Sequence, residues 1–156
     1  MELEVVRRRG AALAACAAWA LASAAVHAQE AAAPHWIWRP GVEGRNAPAE
    51  TCYFRKPVLV KEPSRLALFA AADNAFELFL DGKKIAAGED WQNPAKVEMK
   101  VETGRHVLAA RASNEAPGLA GFLVSGGVLP LGQGAPVHTN QSWKVATAVP
   151  AGDPRK

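Results

Sequence analysis

Cysteine is almost missing from this chain: Cys16 and Cys52 are the two among 156 residues. Cys16 falls in an N-terminal leader expected to be removed, so Cys52 is left without a partner, and stability has to come from a packed core rather than a disulfide framework. An excess of one charge is missing as well. Against 18 Lys and Arg stand 15 Asp and Glu, and outside the leader the bases are scattered singly apart from the pairs Arg55-Lys56, Lys83-Lys84 and Arg155-Lys156. That pattern argues against a nucleic-acid partner. No nucleophile elbow or glycine-rich phosphate loop occurs, and His35, His106 and His138 lie far apart with no Cys or His at ligand spacing, so no zinc or haem site is expected. Calcium takes six to eight oxygens, and Asp73-Asn74 with Asp90 form no dense acidic loop. The chain is therefore expected to hold no metal or cofactor and to be no enzyme.

What is present begins with Arg7-Arg8-Arg9, followed by an apolar run over residues 11–25 and by Val26-His27-Ala28. A basic cluster, a short apolar core and small residues ahead of a cleavage point read as a helical signal peptide over residues 1–28, cut after Ala28, and hence as export to the periplasm or beyond. About 15 apolar residues fall short of the roughly 20 that span a bilayer, and no transmembrane segment is expected in the mature chain. Leu13-Ala14-Ala15-Cys16 offers a lipoprotein alternative, with Cys16 lipidated, but only about five apolar residues precede it where a signal core has 7 or more. Arg7-Arg8 hints at twin-arginine export. Without the leader's three Arg and two Glu, 15 basic and 13 acidic residues remain in 128, enough chain for one domain with a sizeable core.

Residues 29–34 read as a flexible lead-in. Beyond them, apolar and polar residues alternate between turn signals, and because successive strand side chains point to opposite faces, this period of two marks half-buried strands. Strands are expected at 35–38, 53–60, 64–72, 75–81, 83–87, 95–102, 105–113, 119–129 and 141–149. Phe76, Leu78 and Leu80 face one way, and Glu77, Phe79 and Asp81 the other. Asp81-Gly82 closes a hairpin. Pro57 cannot donate to a ladder, which places it at an edge or bulge. Val97, Met99 and Val101 point inward while Lys96, Glu98, Lys100 and Glu102 face solvent. Val107-Leu108-Ala109-Ala110 is apolar throughout, as expected of a central strand covered on both sides. No segment after the leader carries a long helical period, so the fold class is all-β: an antiparallel β-sandwich over residues 35–149, with a disordered tail at 150–156.

The order of landmarks adds to this. Trp36 and Trp38 are followed by Tyr53-Phe54-Arg55-Lys56, Ala72-Asp73-Asn74, Phe76-Glu77-Leu78-Phe79-Leu80-Asp81-Gly82-Lys83 and Trp91. Then come Gly104, Val107-Leu108-Ala109-Ala110, Ala112-Ser113-Asn114, Ala120-Gly121-Phe122-Leu123 and Ser142-Trp143-Lys144. This order resembles the galactose-binding-like jelly-roll domain found beside glycoside hydrolase cores, as in the N-terminal modules of rhamnosidase-type and family 2 glycosidases. Asp81, His106 and Asn140 stand where the family often has Asn, Asn and Asp. Asp replaces Asn readily in a tight turn, whereas Asn140 removes a carboxylate from its corner. The resemblance implies the sandwich fold, and a module that binds sugar or braces a larger enzyme.

A sugar site needs an aromatic face for the apolar side of a pyranose and polar groups for its hydroxyls. Trp91, flanked by Glu89, Asp90, Gln92 and Asn93 on a loop, is the candidate ligand-binding set; the alternative is that Trp91 folds back to cap one end of the core. Trp36, Trp38 and Trp143 lie on expected strands and are assigned to the core or to closing the sheets. Asp73-Asn74 is assigned to an Asx turn, Phe79 to packing on a neighbouring strand, and Cys52 to burial as a small apolar residue. Glu77, Glu98 and Glu102 are read as solvated strand carboxylates. The sequence thus points to an exported, non-catalytic module with a glycan or polysaccharide as partner; the alternative is an adaptor docking on another envelope or secreted protein.

Overall fold

The computed structural model describes residues 33–42, 45–130 and 136–148. The expected signal peptide, residues 29–32 of the lead-in and the tail lie outside them. Eight strands are assigned: β1 (Glu50–Val60), β2 (Ser64–Asp73), β3 (Ala75–Leu80), β4 (Lys83–Gly88), β5 (Ala95–Val101), β6 (Gly104–Asn114), β7 (Gly121–Leu129) and β8 (Lys144–Ala146). They form two antiparallel sheets, β4-β3-β6-β1-β8 and β5-β2-β7. The chain changes sheet after β1, after β2, on each side of β5 and on each side of β7, which is how a jelly-roll sandwich covers the apolar face of each sheet with the other.

Between the sheets lies one core. From the five-stranded sheet come Phe54, Phe76, Leu78 and Leu108, and from the three-stranded sheet Leu66, Leu68, Phe122 and Val124, all buried. Phe122 is its hub, with ring centroids 5.0 Å from Phe54, 6.0 Å from Phe76 and 5.8 Å from the edge-on Trp143. Each such side chain contributes roughly 1.5–3 kcal/mol by leaving water. Strand β6 pairs with β1 on one side and β3 on the other, and so occupies the central place that its apolar run predicts. Phe79 is buried although it faces away from the core, in register with Ala109.

The Asp81-Gly82 turn has φ of 49° and 82°, the positive pair that a two-residue hairpin requires. Asp81 also accepts the Val107 amide at 2.8 Å and faces His106 Nδ1 at 2.6 Å, tying the β3–β4 hairpin to β6. Pro57 causes no break because β8 pairs with Tyr53 to Arg55 alone, so that side of β1 carries no ladder at Pro57. Cys52 is fully buried, and burial pushes its thiol up to about 11.

Two expected strands are not realised as such. Residues 35–38 make a single bridge, Ile37 to Phe122, because they hook onto the edge of β7 instead of entering a ladder. The last strand shrinks to Lys144–Ala146, since Asn140, Gln141 and Ser142 are taken up by a turn in which the Asn140 side chain accepts the Ser142 amide at 2.9 Å.

Candidate functional site

Loops at one edge of the sandwich gather two half-exposed tryptophans, Trp36 at 49% and Trp91 at 51% exposure. Assigning Trp36 to the core was wrong, for a local reason. Ile37 exchanges two backbone hydrogen bonds with Phe122, at 3.0 and 2.9 Å, and the His35 amide donates to Thr139 at 2.9 Å. Ile37 takes the inward position, so its neighbour Trp36 points out. Its ring lies over Gly121 so closely that a Cβ there would sit 2.7 Å from the indole Cε3. Trp38 and Trp143 do serve packing. Trp38 Nε1 donates to Glu50 at 2.9 Å while its ring lies 6.0 Å from Phe54, and the Trp143 indole donates to His138 O at 2.8 Å.

Trp91 stands at the tip of a turn between β4 and β5. Asp90 organises that turn: it accepts the Gln92 amide at 2.8 Å and the Asn93 side-chain amide, and its own carbonyl accepts the Asn93 amide at 3.3 Å. The Asn93 and Gln92 bonds hold the Asp90 carboxyl below its ordinary value. In this structure Asp90 and Asn93 thus spend hydrogen bonds on shaping the loop that presents Trp91. Glu89 lines a different concavity, on the outer face of the five-stranded sheet.

Trp36 and Trp91 line a shallow depression of ≈ 350 Å³. Leu119, Ala120 and Gly121 complete its apolar lining, and Arg45 and Asp73 supply the charged groups. Asp73 is the last residue of β2, followed by a cis peptide to Asn74. Asn74 is structural: its side chain donates to Asp73 at 3.1 Å and accepts the Glu115 amide at 2.8 Å, and its backbone amide donates to Ser113 O at 2.9 Å. Trp36, Arg45, Asp73 and Leu119 were not in the expected set, because strand alternation says nothing about which loops meet. The signal available for Trp36 was Ile37 itself, whose apolar side chain claims the core side of that segment. Among the described residues, Leu59 and Phe69 are also exposed, but on the outer faces of different sheets, so they form no joint patch. No three His, Cys, Asp or Glu side chains of the described residues come together as a metal-binding group.

The two-layer antiparallel jelly roll has the galactose-binding-like β-sandwich fold, which known proteins similar to this chain share. An α-L-rhamnosidase of Streptomyces avermitilis is 31% identical over 126 residues, covering 74% of this chain and 12% of that protein. The crystal structure of the Streptomyces avermitilis α-L-rhamnosidase complexed with L-rhamnose superposes with a TM-score of 0.69 at 29% identity, over 76% of this chain and 12% of the other. A lectin from Pleurotus ostreatus in complex with GalNAc has the same fold, with a TM-score of 0.68 at 23% identity over 78% of this chain and 38% of the lectin. No family model matches the chain. The chain spans 12% of the length of the rhamnosidase it matches.

Proposed function

We propose that this protein is an exported, non-catalytic carbohydrate-binding module whose ligand rests in the depression between Trp36 and Trp91. The observation that carries the reading is the pair of half-exposed indoles, separated in sequence by more than fifty residues, lining one depression. Side chains of this size are ordinarily drawn into a core, and an aromatic ring left in contact with water offers a flat face to the C–H side of a pyranose. Arg45 and Asp73 supply a donor and an acceptor for its hydroxyls. The likeness to part of a rhamnosidase and to a lectin supports the sugar, and the basic and apolar leader pattern supports export.

The test is a glycan-array and polysaccharide retention screen that includes L-rhamnose and GalNAc, run on the wild type and on Trp91→Ala. The variant is expected to lose retention while its thermal midpoint stays within a few degrees of wild type. A loss of about 3 kcal/mol or more of stability would instead make Trp91 a packing residue. No retention by wild type on any glycan would refute the module's proposed ligand class.

A further inference from the structure

The outer face of the five-stranded sheet holds a second concavity, of ≈ 600 Å³, within the range of small-molecule sites. Its floor is low because small residues meet there: Ala75 on β3 lies in register with Ser113 on β6. Its walls are charged. Glu77 pairs across the sheet with Arg111, Lys84 rises from β4, and Glu89 from the turn that follows. Lys84 Nζ lies 3.2 Å from one Glu77 oxygen and Arg111 Nη1 lies 3.7 Å from the other.

Two consequences follow from that arrangement. The Glu77, Lys84 and Arg111 side chains hold one another in place yet remain between 35% and 56% exposed, so each keeps hydrogen-bonding capacity on its open side. Arg has five N–H donors and a carboxylate about four acceptor sites, and the two ion pairs engage a minority of them. The two cations are also balanced by two carboxylates. An anionic ligand drawn by Arg111 and Lys84 meets Glu77 and Glu89, and a cation meets the reverse. A neutral polyol avoids both penalties, since each hydroxyl donates to a carboxylate and accepts from a guanidinium or ammonium, while its C–H face rests on the small floor.

We propose that this groove is a second binding site, for a neutral, hydroxyl-rich segment of a glycan chain. The proposal rests on the reading of the protein as a glycan-binding module. One residue separates the linings of the two sites at each chain crossing: Asn74 between Asp73 and Ala75, and Asp90 between Glu89 and Trp91. Each crossing spans at most about 7 Å of backbone, a distance that a ligand of several sugar units bridges.

The experiment is an NMR titration of the full chain with neutral tetra- to hexasaccharides and with sulfated and uronate-containing counterparts, on wild type, Glu77→Gln and Arg111→Gln. Amide signals of Ala75, Glu77 and Ser113 report the groove, and the Trp91 indole reports the aromatic depression. A neutral oligosaccharide is expected to shift both sets. Arg111→Gln is expected to abolish the groove shifts and weaken apparent affinity about tenfold while the Trp91 signal still moves. Arg111 is exposed and Glu77 partly buried, and unchanged thermal melts would establish that the variants fold. A responding Trp91 with a silent groove overturns this inference and leaves the aromatic site standing. A responding groove with a silent Trp91 supports the inference and refutes the aromatic site. Shifts confined to sulfated or uronate-containing chains overturn the neutral ligand, and silence at both places overturns both readings.

Discussion

Gly121→Ala tests the aromatic depression without touching a group that would contact ligand through its own side chain. The added Cβ would lie 2.7 Å from Trp36 Cε3, whereas carbon atoms rest at about 3.5–4.0 Å, so the indole must move by roughly 1 Å. It has room to do so, because about half of Trp36 faces solvent. Overpacking costs about 1–3 kcal/mol where neighbours cannot yield, and removing a glycine from the unfolded chain returns about 0.4–1 kcal/mol. The net loss of stability is therefore expected near 1 kcal/mol, a few degrees in Tm for a domain of this size. Binding is expected to suffer more in proportion, three- to tenfold, because a ring displaced by that much forfeits an aromatic contact of about 0.5–1.5 kcal/mol. Calorimetric titration and thermal melts of wild type, Gly121→Ala, Trp36→Ala and the double variant close a thermodynamic cycle. If the collision is the cause, Gly121→Ala costs nothing further once Trp36 is Ala. An equal cost in both backgrounds would refute the contact, and unchanged binding in the single variant would remove Trp36 from the site.

Three other outcomes are expected. His106 carries acceptors at both ring nitrogens, Asp81 at 2.6 Å and Glu102 O at 2.9 Å, and the Asp81 bond first of all raises its pKa above the ordinary 6.5. Its contribution is fully present below pH 6.5 and fades as pH rises through the raised folded value; burial lowers His138, whose contribution is present above pH 6.5 and fades on acidification. Urea unfolding between pH 5 and 8 should lose the decline on the alkaline side in His106→Gln, and a profile identical to wild type would contradict the assignment. Thr139 is fully buried, donating to His35 O at 2.6 Å and accepting the Val124 amide at 3.2 Å, so Thr139→Val should cost about 1–3 kcal/mol by chemical denaturation. Cys52, buried with its thiol near 11, should label with a thiol reagent at the rate of global unfolding, and rapid labelling of folded protein would contradict its burial.

Much of the fold can be read from local pattern. Alternation over Lys96 to Val101 places Val97 and Val101 inside and the charges outside, and Asp81-Gly82 closes its hairpin, because strand period and turn chemistry act over neighbouring residues. The central place of β6 follows from its apolar run for the same reason. Residues 35–38 mislead because a short aromatic segment reads alike whether it joins a ladder or clips onto an edge by one bridge.

By itself, then, the sequence determined an all-β sandwich, its hairpin and its core strands, and put Trp91 on a polar loop. The tertiary structure alone decided that Trp36 faces out across Gly121, that Asp73 and Arg45 share its depression, and that Glu77, Lys84, Glu89 and Arg111 ring a groove on the other sheet. Burial of a side chain on its own strand is a local matter of period. The meeting of side chains from residues 36, 73, 91 and 121 depends on which strands neighbour which, and that pairing is settled by the packing of two whole sheets against each other.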